Sequence, residues 1–287
     1  MVEFAEFERS GWARRSGTYD GGFGAMTAGL HGRLLAEAEV ARGVRVLEVG
    51  CGTGRLGLAA VGLGAEVVAT DAVPEMVAEA GRVLPEVVRA ELPGLPFGAD
   101  EFDCAVGAFV INHVPDPVAA VRDLARVVGP GGRVVLSCWD ELTVNQAQGV
   151  FFQAVAEAGA SRPAGLPDRA PFGPYATPER FAGLLRTGGL AEVEVHRVGW
   201  THRVGPDHWW RAVLTGTVLT SSLIEGQDPA TVRRIRARYD ALTARWAEPD
   251  GTVALPVAAL VAVGRAVGPA APTGAAGTRT GDRRGKN

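Results

Sequence analysis

The chain has 287 residues, 47% hydrophobic and 21% charged, with a formal net charge of -3. That apolar content supplies the core of one large domain or of one domain with an inserted lobe, and the charge balance argues against a nucleic-acid partner. No uncharged apolar run approaches the roughly 20 residues of a membrane span.

The N-terminal MVEFAEFERSGWARR lacks the apolar stretch of a signal peptide. Cys51, Cys104 and Cys138 fall in or beside apolar runs without metal-ligand spacing. The expectation is a reduced, cytoplasmic protein with no disulfide framework and no metal.

Short β-type runs then alternate with longer amphipathic stretches. VRVLEVG (44–50), EVVATD (66–71), EVVRA (86–90), FDCAVGAFV (102–110) and GRVVLSCW (132–139) read as strands. Helices are expected at 55–63, at 74–83 with Pro74 in the first turn, and at 115–127. Near-continuous apolar strands with helical crossovers imply a parallel sheet covered on both faces. GPGGR (129–133) reads as a tight turn into the fifth strand.

After Trp139 the rhythm changes. Residues 140–176 are proline-rich and aromatic, with a helix expected at 145–159. TPERFAGLLRTGGL (177–190) carries an N-cap Thr177, Pro178 at the first helical position and a Gly-Gly stop. AEVEVHRV (191–198) alternates like a strand with one solvated face, and 206–224 and 228–247 read as helices. TVALPVAALVAVGR (252–265) suits a buried last strand, with Pro256 favouring its start or an edge. The tail, 268–287, has no periodicity and reads as disordered.

The chemistry begins at VLEVGCGTGRL, where Gly50, Gly52 and Gly54 follow a strand and open a helix. A dinucleotide fingerprint would read G-x-G-x-x-G, whereas here the third glycine comes early and Glu48 lies two residues before the first. A pyrophosphate would be repelled by that carboxylate. Asp71, ending the second strand, suits a ribose diol, and Glu91 after the third could accept from an exocyclic amine. Three acids around one crevice describe a cationic nucleoside without phosphate.

On these residues the sequence resembles class I S-adenosylmethionine (SAM)-dependent methyltransferases, within them the ubiquinone/menaquinone-biosynthesis-like (methyltransferase type 11) group. VLEVGCGTG, VVATDAVPEM, AELPGLPFGADEFDCAVGAFVINHVPDP and LARVVGPGGRVVLS carry the resemblance in order. It implies a Rossmann-like, doubly wound α/β fold with a seven-stranded, mostly parallel sheet and a helical lid. One domain would span 1–267, with a helical cover at 1–42 and lid insertions at about 140–176 and 206–247.

The resemblance assigns SAM to Glu48, Gly50, Cys51, Gly52, Gly54, Asp71, Ala72, Met76, Glu91, Leu92, Ala108 and Phe109. The Glu91 position more often holds Asp in that family.

For the acceptor, His113 follows the fourth strand and is the candidate general base. Trp12, Tyr19, His113, Phe172, Tyr175 and Trp209 are the candidate substrate contacts. The expected activity is methyl transfer to O, C or N of a small, fairly hydrophobic natural product, by a monomer or homodimer. A SAM-fold cyclase and a non-catalytic SAM-binding protein are the alternatives.

Overall fold

The computed structural model describes residues 4–167 and 170–268. The tail read as disordered lies outside the described residues from 269 onward. The N-terminal segment forms α1 (Phe4–Ala13), α2 (Phe23–Thr27) and α3 (His31–Glu37). Strands and helices then alternate as β1 (Arg45–Val49), α4 (Arg55–Gly62), β2 (Glu66–Asp71), α5 (Pro74–Ala80), β3 (Val87–Arg89), β4 (Phe102–Gly107), α6 (Pro117–Val127) and β5 (Val128–Trp139). The rest comprises α7 (Gln146–Glu157), α8 (Pro178–Thr187), β6 (Leu190–Val204), α9 (Pro206–Gly216), α10 (Leu219–Glu225), α11 (Pro229–Thr243) and β7 (Val253–Ala266).

The strands form one sheet in the order β3-β2-β1-β4-β5-β7-β6. Neighbours from β3 to β5 pair in parallel, and β7 alone runs antiparallel to both its neighbours. This is the doubly wound, mostly parallel α/β sheet expected from the alternating pattern. Local chemistry sets the helix starts. Asp116, Thr177 and Asp228 each accept a backbone N–H of the helix they precede, and each is followed by proline at the first helical position.

The sheet is covered on both faces. Leu47, Phe102, Leu136 and Leu260 pack with α6 and α8 side chains in one cluster. Val46, Val106, Val135 and Val261 pack with Leu34, Leu35 and Leu56 in another. A third cluster is aromatic. Phe151, Trp209, Trp210 and Tyr239 join α7, α9 and α11 over the Val253–Val257 end of β7. Phe151 and Trp209 are both 0% exposed, and burying such a side chain stabilises the fold by about 2–3 kcal/mol.

Three details differ from the sequence pattern. β5 starts at Val128, so the expected turn 129–133 is drawn into the strand. The helix expected over 206–224 breaks after Gly216, where Thr217 is extended (φ -129, ψ 156) and its hydroxyl accepts the Ser221 N–H of α10. Pro256 lies within β7, an inner strand, rather than at its start. Pairing with β5 ends at Ala259, while pairing with β6 continues to Val253. Pro256 therefore has a strand neighbour on one side only, and its missing N–H can face the side from which β5 has withdrawn.

Candidate functional site

The strand order reverses at β1, which lies between β2 and β4. Open α/β sheets bind ligands outside the carboxyl ends of the strands at such a switch point. Here a crevice of about 1050 Å³, open mouth included, runs past Gly50, Gly52, Asp71, Ala72, Met76, Glu91, Leu92, Ala108 and Phe109. A smaller recess of about 370 Å³ continues on the other side of the glycine turn, past Glu48, Cys51, His31 and Arg55.

The turn is built to expose its backbone. Gly50, Gly52 and Gly54 all have positive φ (63, 54 and 85). A Cβ on Gly50 would stand 2.3 Å from Val110 Cγ2, so the close approach of the loop after β4 requires glycine there.

Asp71 braces the turn. One carboxylate oxygen accepts the Gly52 N–H at 2.9 Å, and the other accepts the Val73 N–H at 2.9 Å. Burial pushes its pKa up to about 6 against the pull of these bonds. Glu48 is 2% exposed, and its Oε2 is buried without a hydrogen-bond partner among the described residues. Burial pushes its pKa up to about 8, so it is mainly protonated at neutral pH. The third acid is occupied, because Glu91 Oε1 lies 3.3 Å from Arg9 Nη2. The three acids are all present, but the negative lining is weaker than their count implies.

Cys51 is buried beside these acids, and burial pushes its thiol pKa up, which suits a packed thiol rather than a nucleophile. His31 is held down to about 4 by burial and is neutral at physiological pH.

The N-terminal segment closes the crevice. Ala5, Glu8, Arg9, Trp12 and Tyr19 line it, and Asp20 ties the segment to the turn by accepting the Thr53 hydroxyl and pairing with Arg55 Nε at 2.9 Å. Glu8 Oε2 lies 2.8 Å from His113 Nδ1 and accepts Trp12 Nε1–H at 3.0 Å. Trp12 meets the His113 ring edge-on at 5.2 Å between centroids.

Glu8, Trp12 and His113 also line a second, half-open cavity of about 790 Å³, open mouth included. Phe4, Phe7, Phe23, Trp139 and Phe152 give its wall an aromatic side, shared with polar residues that include Asn112, Gln148, Thr217 and Thr220. Phe109 separates crevice from core: it takes the left-handed conformation (φ 58), donates its N–H to Ser137 Oγ at 3.0 Å, and stacks on Trp139 at 3.7 Å.

Most expected site residues therefore converge. Four do not. Gly54 lines neither the crevice nor the recess and instead leads into α4, packed near Leu84. Trp209 is fully buried, stacked on Phe23, with its indole N–H donated to the Ala147 carbonyl. Phe172, 4% exposed, and Tyr175 pack beside Phe181 in the cluster under α6 and α8. Trp209 and Phe172 spend their apolar surface on core packing, whereas Tyr175 stays half-buried; none of the three lines the crevice, the recess or the second cavity. The sequence reading missed Glu8, Arg9, Asp20, Asn112 and Gln148. A carboxylate four residues before Trp12 was the one local hint of the Glu8 contact.

Residues 47–136 match the family model described as a methyltransferase domain. An uncharacterised protein of Mycobacterium tuberculosis is 33% identical over 176 residues, covering 56% of this chain and 62% of that one. A ubiquinone biosynthesis O-methyltransferase of Xanthomonas euvesicatoria is 36% identical over 163 residues, covering 52% and 63%. The chain thus spans about three fifths of the length of these relatives. The crystal structure of the YcgJ protein of Bacillus subtilis superposes with a TM-score of 0.54 at 19% identity, over 83% of this chain and 98% of that one, and shares its fold. No helix among the described residues is long and apolar enough to cross a membrane.

Proposed function

We propose that the chain is a class I SAM-dependent methyltransferase, a reading its similarity to the methyltransferase-domain model and to a ubiquinone biosynthesis O-methyltransferase supports, and that it methylates a small, fairly hydrophobic acceptor held in the second cavity. The observation that carries this reading is that two spaces, one bordered by Asp71 and the glycine turn and one with an aromatic side, meet at Glu8, Trp12 and His113.

The residues fit the cofactor. Gly52 and Asp71 would hold the ribose, Ala72, Met76 and Leu92 would flank the adenine, and Glu91 would lie at its amine edge. Glu48, whose Oε2 is turned toward Gly57 of α4, would border the amino-acid end through its place on the recess wall, with Gly50, Cys51, Ala108 and Phe109 around it. Bound SAM supplies a methyl group already activated as a sulfonium substituent, so positioning and exclusion of water can carry much of the catalysis.

His113 does the proton work. The Glu8 carboxylate accepts from Nδ1–H, which fixes the tautomer and leaves the Nε2 lone pair free to take a proton from the acceptor. Such a base matters most when the attacking atom is a hydroxyl oxygen. The similarity to ubiquinone biosynthesis O-methyltransferases supports O-transfer over transfer to C or N. The cavity's aromatic side and the net charge of -3 support a small specialised metabolite over a nucleic acid. A cytoplasmic location suits three free, buried cysteines.

The test is calorimetry with S-adenosylhomocysteine and NADH, followed by incubation of methyl-labelled SAM with a panel of hydroxylated aromatic compounds. The expected result is binding of S-adenosylhomocysteine alone and label in at least one product. Binding of NADH without S-adenosylhomocysteine would overturn the proposal.

A further inference from the structure

The carboxylate that meets His113 comes from α1, so the seating of that helix decides where the carboxylate stands. Glu8 Oε2 lies 2.8 Å from His113 Nδ1, on the 3-10 turn Val110–His113 after β4. A displacement of α1 by about 1 Å would carry this contact out of hydrogen-bond range. The helix also rests on the start of α10. A Cβ on Gly11 would stand 2.3 Å from Val218 Cγ1, so only glycine lets the backbone of α1 come this close.

Arg15, just past the end of α1, fastens that contact. It is 5% exposed. Its Nη1 donates to the Gly11 carbonyl at 2.9 Å, its Nη2 donates to Ser221 Oγ of α10, and its backbone N–H donates to the Trp12 carbonyl at 3.0 Å. Ser221 is itself fully buried and donates to the Thr217 carbonyl at 2.6 Å. One guanidinium therefore joins the last turn of α1 to α10. The Arg9–Glu91 pair is half-exposed and adds little further hold.

Stability alone accounts poorly for a cation in this place. Arg15 Nε has no partner among the described residues, and the Glu225 carboxylate, 3.9 Å from Nη2, is itself largely exposed. A buried charge so loosely paired carries a desolvation cost that an apolar side chain of similar length would avoid. What the planar fork supplies is geometry, with two donors at a fixed angle between two helices. Taking His113 as the base, as proposed above, we infer that Arg15 is a positioning residue for the transfer. By clamping α1 to Ser221 it holds Glu8 on His113, which keeps the ring proton on Nδ1 and leaves Nε2 without one.

The first readout needs neither SAM nor acceptor. Nitrogen NMR of the full chain carrying isotope-labelled histidine is recorded at about pH 9, where an ordinary imidazole is neutral. The His113 signals are identified by their loss in His113→Ala. The parent should carry the proton on Nδ1, and in Arg15→Met that form should decline to the level seen in Glu8→Ala. The second readout is a double-mutant cycle on turnover of labelled SAM. Arg15→Met should lower kcat by about tenfold, and Arg15→Lys should recover part of the loss. In a Glu8→Ala background Arg15→Met should cost less than about twofold more, because a residue that acts through Glu8 then has nothing to act on.

Ser221→Ala removes the same contact but leaves the Arg15 charge in place, and it decides by the same two readouts if Arg15→Met does not fold. An unchanged His113 tautomer in Arg15→Met overturns the inference, as does a parent proton on Nε2 or a loss of kcat that adds in full to that of Glu8→Ala. A tautomer that shifts as expected, with no methylated product from any acceptor, upholds the clamp and counts against the methyltransferase reading instead.

Discussion

Glu48 offers the sharpest test of the site's electrostatics. Its carboxyl is buried to 2% exposure, one oxygen is unpartnered, and burial raises its pKa from 4.5 to about 8. The sign follows from proton binding. An acid whose pKa is raised on folding holds its proton more tightly in the native state. Its contribution to stability is therefore fully present below about pH 4.5 and is lost as pH rises through about 8. Between pH 5 and pH 8 this one group should remove about 3 kcal/mol of stability.

Gln mimics the protonated acid in shape and cannot titrate. The assay is urea denaturation of the parent and Glu48→Gln at intervals from pH 5 to pH 8.5. The parent should lose stability relative to the variant by about 3 kcal/mol across that range, most of it above pH 5.5. Asp71, also raised, titrates in both proteins and largely cancels from the difference. Parallel stability curves would refute the reasoning.

Further outcomes are expected at the same site. Asp71→Ala removes the acceptor for the Gly52 and Val73 N–H groups, and affinity for S-adenosylhomocysteine should fall by about 30-fold or more in calorimetry. His113→Ala should leave that affinity within about twofold of the parent but slow turnover of labelled SAM by ~100-fold. Glu8→Gln should lower kcat by about tenfold with little change in KM, and Glu8→Asp should recover part of the loss, because the carboxylate acts by orienting His113.

The parts of this molecule legible from sequence are those fixed by neighbours in the chain. The glycine turn after β1, the acid ending β2 and the prolines opening α6, α8 and α11 announce themselves within a few residues. What escaped depends on contacts across the chain. Glu8 reaches His113 over 105 positions, and no local pattern marks it as anything but a helix-surface acid. The aromatic residues mislead for a related reason. A phenylalanine or tryptophan is equally suited to a core and to a cavity wall, so Trp209 and Phe172 carried no signal separating them from Trp139 and Phe152. The ionisation of Glu48 was also invisible, because burial, not residue type, determines it.

The stretch from Phe4 to Asp20 supplies side chains to both spaces and is latched to the glycine turn through Thr53 and Arg55. One strip of backbone thus serves as a shared door. On the proposed reading, traffic of nucleoside and acceptor would be mechanically linked, so loosening the latch should quicken departure of both molecules together, and product release would depend on residues 4–20 as much as on the chemistry beneath them.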